Sequence, residues 1–179
     1  VLPTAPITTL AATGDTTMKA ATQSFFRSSV FQLENCSGAC TGQDVGYTAA
    51  GAYMLFNVDA PAAGEYTVAP QISGGSAAGG LDQISFSVLV DEKPGTTFTR
   101  GGGTGGWQTW VQLAGQGVHL EKGLNKVKLL ANTGGMNFDY LKFTTPVQTR
   151  DLSFAPVVEV RCTAAKEFVG VTVKNTDSI

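Results

Sequence analysis

The chain has 179 residues, of which 15% are charged and 42% hydrophobic, with a formal net charge of −2 and a single histidine. No apolar run approaches the roughly 20 residues that a membrane helix needs, and no basic cluster suits a nucleic-acid backbone. One histidine and a charged fraction well below the ~25% of an average globular protein leave little equipment for acid–base catalysis.

Residues 1–14, from Val1-Leu2-Pro3 to Gly14, lack periodicity and read as a linker end, which implies something upstream. No signal peptide is visible, so a secreted protein would be a mature or excised segment here. Asn35-Cys36-Ser37-Gly38-Ala39-Cys40 brackets a small loop. In an oxidising compartment Cys36 and Cys40 would close a short disulfide, and the other reading is two reduced thiols. A C-x3-C pair with no second ligand pair is poor grounds for zinc.

Strand signals then follow one another. The run 52–58 and the run 65–70 flank a turn, Asp59-Ala60-Pro61-Ala62-Ala63-Gly64, and predict a hairpin. Ile84, Phe86, Val88 and Val90 alternate on one face. Residues 101–106, Gly-Gly-Gly-Thr-Gly-Gly, lack the Lys and helix of a phosphate loop and read as a mobile tip. Trp107 and Trp110 lie three apart on the strand after it, so one is expected in the core and the other at the loop junction. Further short runs cover 107–113, 117–120, 126–130 and 138–143. His119 sits among apolar neighbours and reads as a rim histidine. The acids Asp59, Glu65, Asp91, Glu92 and Glu121 fall mostly in turns, where solvation accounts for them. Past Pro146 two more strand-like runs, 157–163 and 168–173, either pack on the main domain or begin another one, and Cys162 has no obvious partner. Many short strands and no helical stripe predict an all-β fold, a β-sandwich or jelly roll.

A tryptophan face held out beside glycines suits a sugar, whose C–H patches stack on aromatic rings while amides and carboxylates bond its hydroxyls. Five segments carry a family resemblance in order and spacing: Val45-Gly46-Tyr47 to Tyr53, Ala62-Ala63-Gly64-Glu65-Tyr66-Thr67, Thr104-Gly105-Gly106-Trp107-Gln108-Thr109-Trp110, Val118-His119-Leu120-Glu121-Lys122-Gly123, and Met136-Asn137-Phe138-Asp139-Tyr140-Leu141-Lys142-Phe143. Over about residues 16–145 the chain resembles the family 6 carbohydrate-binding modules. That resemblance implies a jelly-roll β-sandwich at 15–146, with residues 147–179 a tail, extra strands or the start of a following β-domain. It implies a non-catalytic module of a secreted, extracellular enzyme that binds a β-linked polysaccharide of the xylan, β-1,3-glucan or cellulose class. The expected partners are that glycan, or an oligosaccharide of it, and a covalently linked catalytic domain. Nucleic acid and membrane are not expected, and the module would be a monomer.

By motif, Tyr47 and Trp107 are the sugar-stacking aromatics, Asn137 bonds sugar hydroxyls, and Glu34 adds a hydrogen bond. No cofactor is required. The family's structural calcium would fall to Gln23 and Asp139, where an amide replaces the usual glutamate and is a weaker ligand. Gly51-Ala52-Tyr53 also lacks the family's Gly-Asp pair. These departures leave a second expectation, a spacer or protein-docking β-sandwich whose sugar site has decayed.

Overall fold

Residues 5–75, 83–147, 157–163 and 166–172 are described by the computed structural model. Two sheets face each other. The first contains β1 (Ile7–Thr9), β3 (Ser24–Arg27), β6 (Tyr53–Ala60), β8 (Gln83–Val90), β9 (Lys93–Gly101) and β12 (Gly123–Ala131), in the order β1-β6-β12-β8-β9 with β3 also on β6. The second contains β2 (Gly14–Lys19), β4 (Gln32–Asn35), β5 (Gln43–Gly46), β7 (Gly64–Gly74), β10 (Gly106–Gln112), β11 (Gln116–Leu120) and β13 (Met136–Thr145), in the order β10-β7-β13-β5-β4. In this sheet β11 also pairs with β7, and β2 with β13. One helical turn, α1 (Ala20–Gln23), links β2 to β3 across the sandwich edge. The all-β sandwich expected from the sequence is the observed fold.

Alternation builds the core. Met54, Phe56, Val58 and Ala60 of β6 point inward, as do Ile84, Phe86 and Val88 of β8 and Phe98 of β9. From the facing sheet come Tyr66, Val68 and Ile72 of β7 and Met136, Phe138, Leu141 and Phe143 of β13. Phe86 stacks on Phe98 at 5.2 Å and meets Phe138 edge-on at 5.0 Å, so one ring joins its own sheet to the opposite one. Burying each such ring contributes about 2–3 kcal/mol.

The β13 register explains how one strand serves both core and site. Between Phe138 and Tyr140 its pairing with β7 shifts. The inward set therefore passes from 136 and 138 to 141 and 143, and Asn137 and Asp139 lie on the other side. Such bulges re-aim side chains.

Two expectations are corrected. The runs around 52–58 and 65–70 are not a hairpin: β6 and β7 belong to different sheets. Ala60 and Tyr66 both enter the core from opposite layers, and the residues between them form an arch. A polar Pro/Gly-containing arch and a hairpin turn look alike in sequence. The expected linker is also too long, because Ile7–Thr9 pairs in parallel with Asn57–Asp59 and Leu10 is buried.

A second compact unit covers 148–179. In it β14 (Val157–Thr163) and β15 (Lys166–Thr172) form their own antiparallel pair, with Cys162 on β14.

Candidate functional site

At one end of the sandwich, Glu34, Tyr47, Thr48, Trp107, Gly135 and Asn137 line a pocket of about 340 Å³. That volume is at the lower end for small-ligand sites. The four sequence-chosen residues thus come together, each from a different element: Glu34 from β4, Tyr47 just past β5, Trp107 at the start of β10, and Asn137 in β13. Sequence reasoning missed Thr48 and Gly135, which carry no chemical signature of their own.

Tyr47 and Trp107 hold their rings in solvent, 56% and 51% exposed, although aromatic side chains of this size are normally drawn into a core. Tyr47 has φ +58, a left-handed conformation that a tyrosine rarely adopts. Thr48 fixes the turn behind it: its Oγ1 donates to Met136 O (2.7 Å) and accepts from Met136 N (2.9 Å).

Asn137 is the floor, only 1% exposed. Its Nδ2 donates to Glu34 Oε2 at 3.4 Å and to the Trp107 carbonyl at 3.3 Å. Using the amide hydrogens in this way leaves Oδ1 as the acceptor. Ser73 Oγ also donates to the Trp107 carbonyl (2.5 Å). Gly46 lies against the same floor: a Cβ there would be 2.0 Å from Glu34 Oε2. Only a glycine lets the carboxylate reach the pocket.

The glycine run before Trp107 is clamped where the sequence suggested mobility. Thr104 N donates to Gly74 O (2.8 Å), and Thr104 Oγ1 accepts from Gly74 N (2.9 Å). A Cβ on Gly103 would meet Gly74 O at 2.6 Å, so the glycines permit a close backbone approach. Trp110 is corrected as well. It is outside the core, half-buried, and its Nε1 donates to Ser37 O at 2.9 Å. Strand β10 pairs with β7 at Gly106, then at Val111 and Gln112 with a register shift between, and this break turns Gln108 and Trp110 toward the 36–40 loop.

That loop is closed by a disulfide between Cys36 and Cys40. Beneath it lies Asp44, fully buried, with Oδ2 accepting from Gln108 Nε2 at 3.2 Å and Oδ1 without a hydrogen-bond partner. Burial pushes its carboxyl up to about 6, with the nearby Glu34 and Asp139 carboxylates adding to the rise and the Gln108 bond opposing it.

The pair expected to hold calcium does not fit one. Asp139 Oδ1 is ion-paired with Lys19 Nζ, and Oδ2 accepts from Gln71 Nε2 at 3.0 Å. Gln23 Oε1 accepts from Lys19 N (2.5 Å), and its Nε2 donates to Thr8 Oγ1 (2.8 Å). Calcium needs six to eight oxygens. Here a lysine ammonium already supplies the positive charge. Among the described residues, Cys36, Cys40 and Asp44 are the His, Cys and carboxylate groups near enough to share an ion, and both sulfurs are already bonded to each other. His119 is on the exposed rim, with Nδ1 2.9 Å from Glu65 Oε1 and Nε2 3.5 Å from Glu121 Oε1.

Comparison with known proteins adds three findings. Residues 22–145 match the family described as "Carbohydrate binding module (family 6)". A clotting factor G alpha subunit from Tachypleus tridentatus is 28% identical over 127 residues, a match that spans 68% of this chain and 18% of that protein. Solved structures that share the fold include the C-terminal module of a laminarinase, LamC, from Zobellia galactanivorans, and a module of Cellvibrio mixtus lichenase 5A in complex with cellotriose. The first has a TM-score of 0.63 at 24% identity and covers 73% of this chain and 99% of its own. The second has a TM-score of 0.62 at 24% identity and covers 73% and 97%.

Proposed function

The chain belongs to the family 6 carbohydrate-binding modules, and we propose that it uses the Tyr47–Trp107 pocket to hold a β-linked polysaccharide and keep an attached degrading enzyme on its substrate. The family is non-catalytic. One observation carries the reading: two exposed aromatic rings flank a pocket whose floor offers an amide oxygen and a carboxylate. Water-exposed aromatics held by a left-handed backbone and a clamped loop are costly for folding alone. They suit a ligand with apolar C–H faces and a hydroxyl rim.

Tyr47 and Trp107 stack on the sugar, while Asn137 Oδ1 and Glu34 accept from its hydroxyls and so choose which sugar stereochemistry fits. The pocket's size suits one or two sugar rings, and affinity is modest. Tethering raises the enzyme's effective concentration on an insoluble glycan beyond what that affinity alone gives. The xylan, β-1,3-glucan and cellulose classes are the proposed targets, and the laminarinase and lichenase contexts of the two structural neighbours support a β-glucan first. The intramolecular disulfide supports secretion.

Affinity electrophoresis of wild type and Trp107→Ala through gels containing soluble glycans tests this, with a product assay alongside. Retardation by a β-glucan or xylan, lost in the variant and without products, is expected. Absence of retardation on every glycan would leave a spacer or docking sandwich, and new reducing ends would mean an enzyme.

A further inference from the structure

The Cys36–Cys40 bridge lies outside the pocket but between the strands that build it. Glu34 precedes the loop on β4, and Gly46 and Tyr47 follow it through β5. The loop also reaches β10. Ser37 N donates to Gln108 Oε1 at 2.7 Å, and Ser37 O accepts from Trp110 Nε1 at 2.9 Å. Gly38 has φ +72, and a Cβ there would sit 3.2 Å from Gln108 O, so loop and strand touch backbone to backbone. Ala39 O accepts from Gln71 Nε2 of β7 at 3.1 Å.

These bonds matter because of where β10 lacks its own. Its ladder to β7 is registered at Gly106 and resumes at Val111, and Trp107 stands inside the interrupted stretch. Ser37 grips Gln108 and Trp110 on the side where no further strand pairs among the described residues. The closed loop therefore stands in for missing sheet pairing beneath one wall of the pocket.

We propose that the Cys36–Cys40 bridge is a redox control on the glycan pocket: closed, it fixes the Trp107 wall, and opened, it loosens that wall and weakens binding. The proposal rests on the glycan-binding reading above. The two sulfurs differ in access, Cys36 being partly exposed and Cys40 buried. A small dithiol attacks Cys36 as a thiolate. A new S–S bond forms to Cys36, the Cys36–Cys40 bond breaks, and Cys40 leaves as a thiolate that takes a proton from water. The second thiol of the reagent then displaces Cys36 and departs as a cyclic disulfide, so the reagent supplies two electrons and two protons. Opening the loop also lets water reach the unpartnered Asp44 Oδ1, a solvation gain that favours the open form.

The test compares a soluble glycan's dissociation constant for oxidised protein, dithiothreitol-reduced protein, reoxidised protein and the Cys36→Ser/Cys40→Ser double variant. Thiol titration should count two more thiols after reduction, and far-UV circular dichroism monitors the sheets. Roughly tenfold weaker binding on reduction is expected, from loss of the Ser37 contacts. Reoxidation should restore it, and the double variant should match the reduced form. Fluorescence should shift too, since Trp107 and Trp110 are the chain's two tryptophans. Gln108→Ala should mimic reduction with the bridge intact, which keeps the idea testable if the double variant fails to fold. Equal affinity of oxidised and fully reduced protein would overturn the proposal. Failure of the oxidised protein to bind any glycan would instead defeat the glycan reading, and this inference with it.

Discussion

Replacing Asp44 by Asn keeps the shape of a side chain that folding removes from water completely, and deletes its charge. An unfolded aspartate ionises near 3.8, whereas burial holds this one up to about 6. Between those values the folded chain keeps a proton that the unfolded chain has released. Stability from this group is therefore fully present below pH 3.8 and lost as pH rises through about 6. A rise from 3.8 to about 6 corresponds to at most about 3 kcal/mol, and adjustment of Gln108 and Glu34 around the charge brings the expected effect nearer 1–2 kcal/mol. Asp44→Asn should therefore be the more stable protein at about pH 7.5 and nearly equal to wild type at about pH 4, by urea denaturation of the oxidised protein. Asp15, whose carboxyl is held low by its Thr144 hydrogen bond, slopes the opposite way, but it is common to both proteins and cancels in the difference. A difference that does not change with pH, or an Asn variant less stable at pH 7.5, would refute the argument from burial.

Other substitutions divide stability from binding. Trp107→Ala removes a half-exposed indole; a sugar covering one face of such a ring hides on the order of 100 Å² of apolar surface, so affinity should fall about 30-fold by calorimetry with little change in melting temperature. Tyr47→Gly should move the two readouts apart, raising stability by up to about 1 kcal/mol by relieving φ +58 while weakening binding more than about tenfold. If stability and affinity fell together there, tyrosine would be holding the fold. Gly46→Ala drives the Glu34 carboxylate out of the pocket, and about a tenfold loss of affinity is expected with an unchanged circular dichroism spectrum. Thr104→Val deletes the hydroxyl that accepts from Gly74 N; about 1 kcal/mol of stability should go, and limited proteolysis should speed up near residues 101–106.

Strand alternation in Ile84-Ser85-Phe86-Ser87-Val88 was readable because one face is wet and the other dry. On β7 the same logic fails past Val68, since its second face is covered as well: Gln71 is buried under Ala39 O of the 36–40 loop and Ser73 under the Trp107 carbonyl. Sheet membership is not a local property. Nothing between Ala60 and Gly64 tells an arch from a hairpin, and the parallel pairing of Ile7–Thr9 depends on a partner about fifty residues away. Of the site, the aromatic rings, Asn137 and Glu34 came from motif spacing. What stayed hidden was the support: Ser73 under the Trp107 carbonyl, Gly46 yielding to a carboxylate, and Thr104 pinning the glycines. The poor fit of Gln23 and Asp139 to calcium was hidden for a related reason. Asp139 matches a motif, but its charge is answered by Lys19, 120 residues earlier, a pairing that only the fold reveals.

The pairing of Gly14 with Thr145 places the first and last long strands of the sandwich side by side, with Thr145 Oγ1 donating to Ala11 O at 2.7 Å. Asn137, near the other end of β13, lies about 25–30 Å away at roughly 3.3 Å per residue. The exit of β13 at Thr145 and the Tyr47–Trp107 pocket therefore sit at opposite poles, whereas the chain enters the sandwich at Ile7, beside Asn57 partway along β6. A polymer held in the pocket, as proposed above, would not meet the chain where it leaves the sandwich after Thr145.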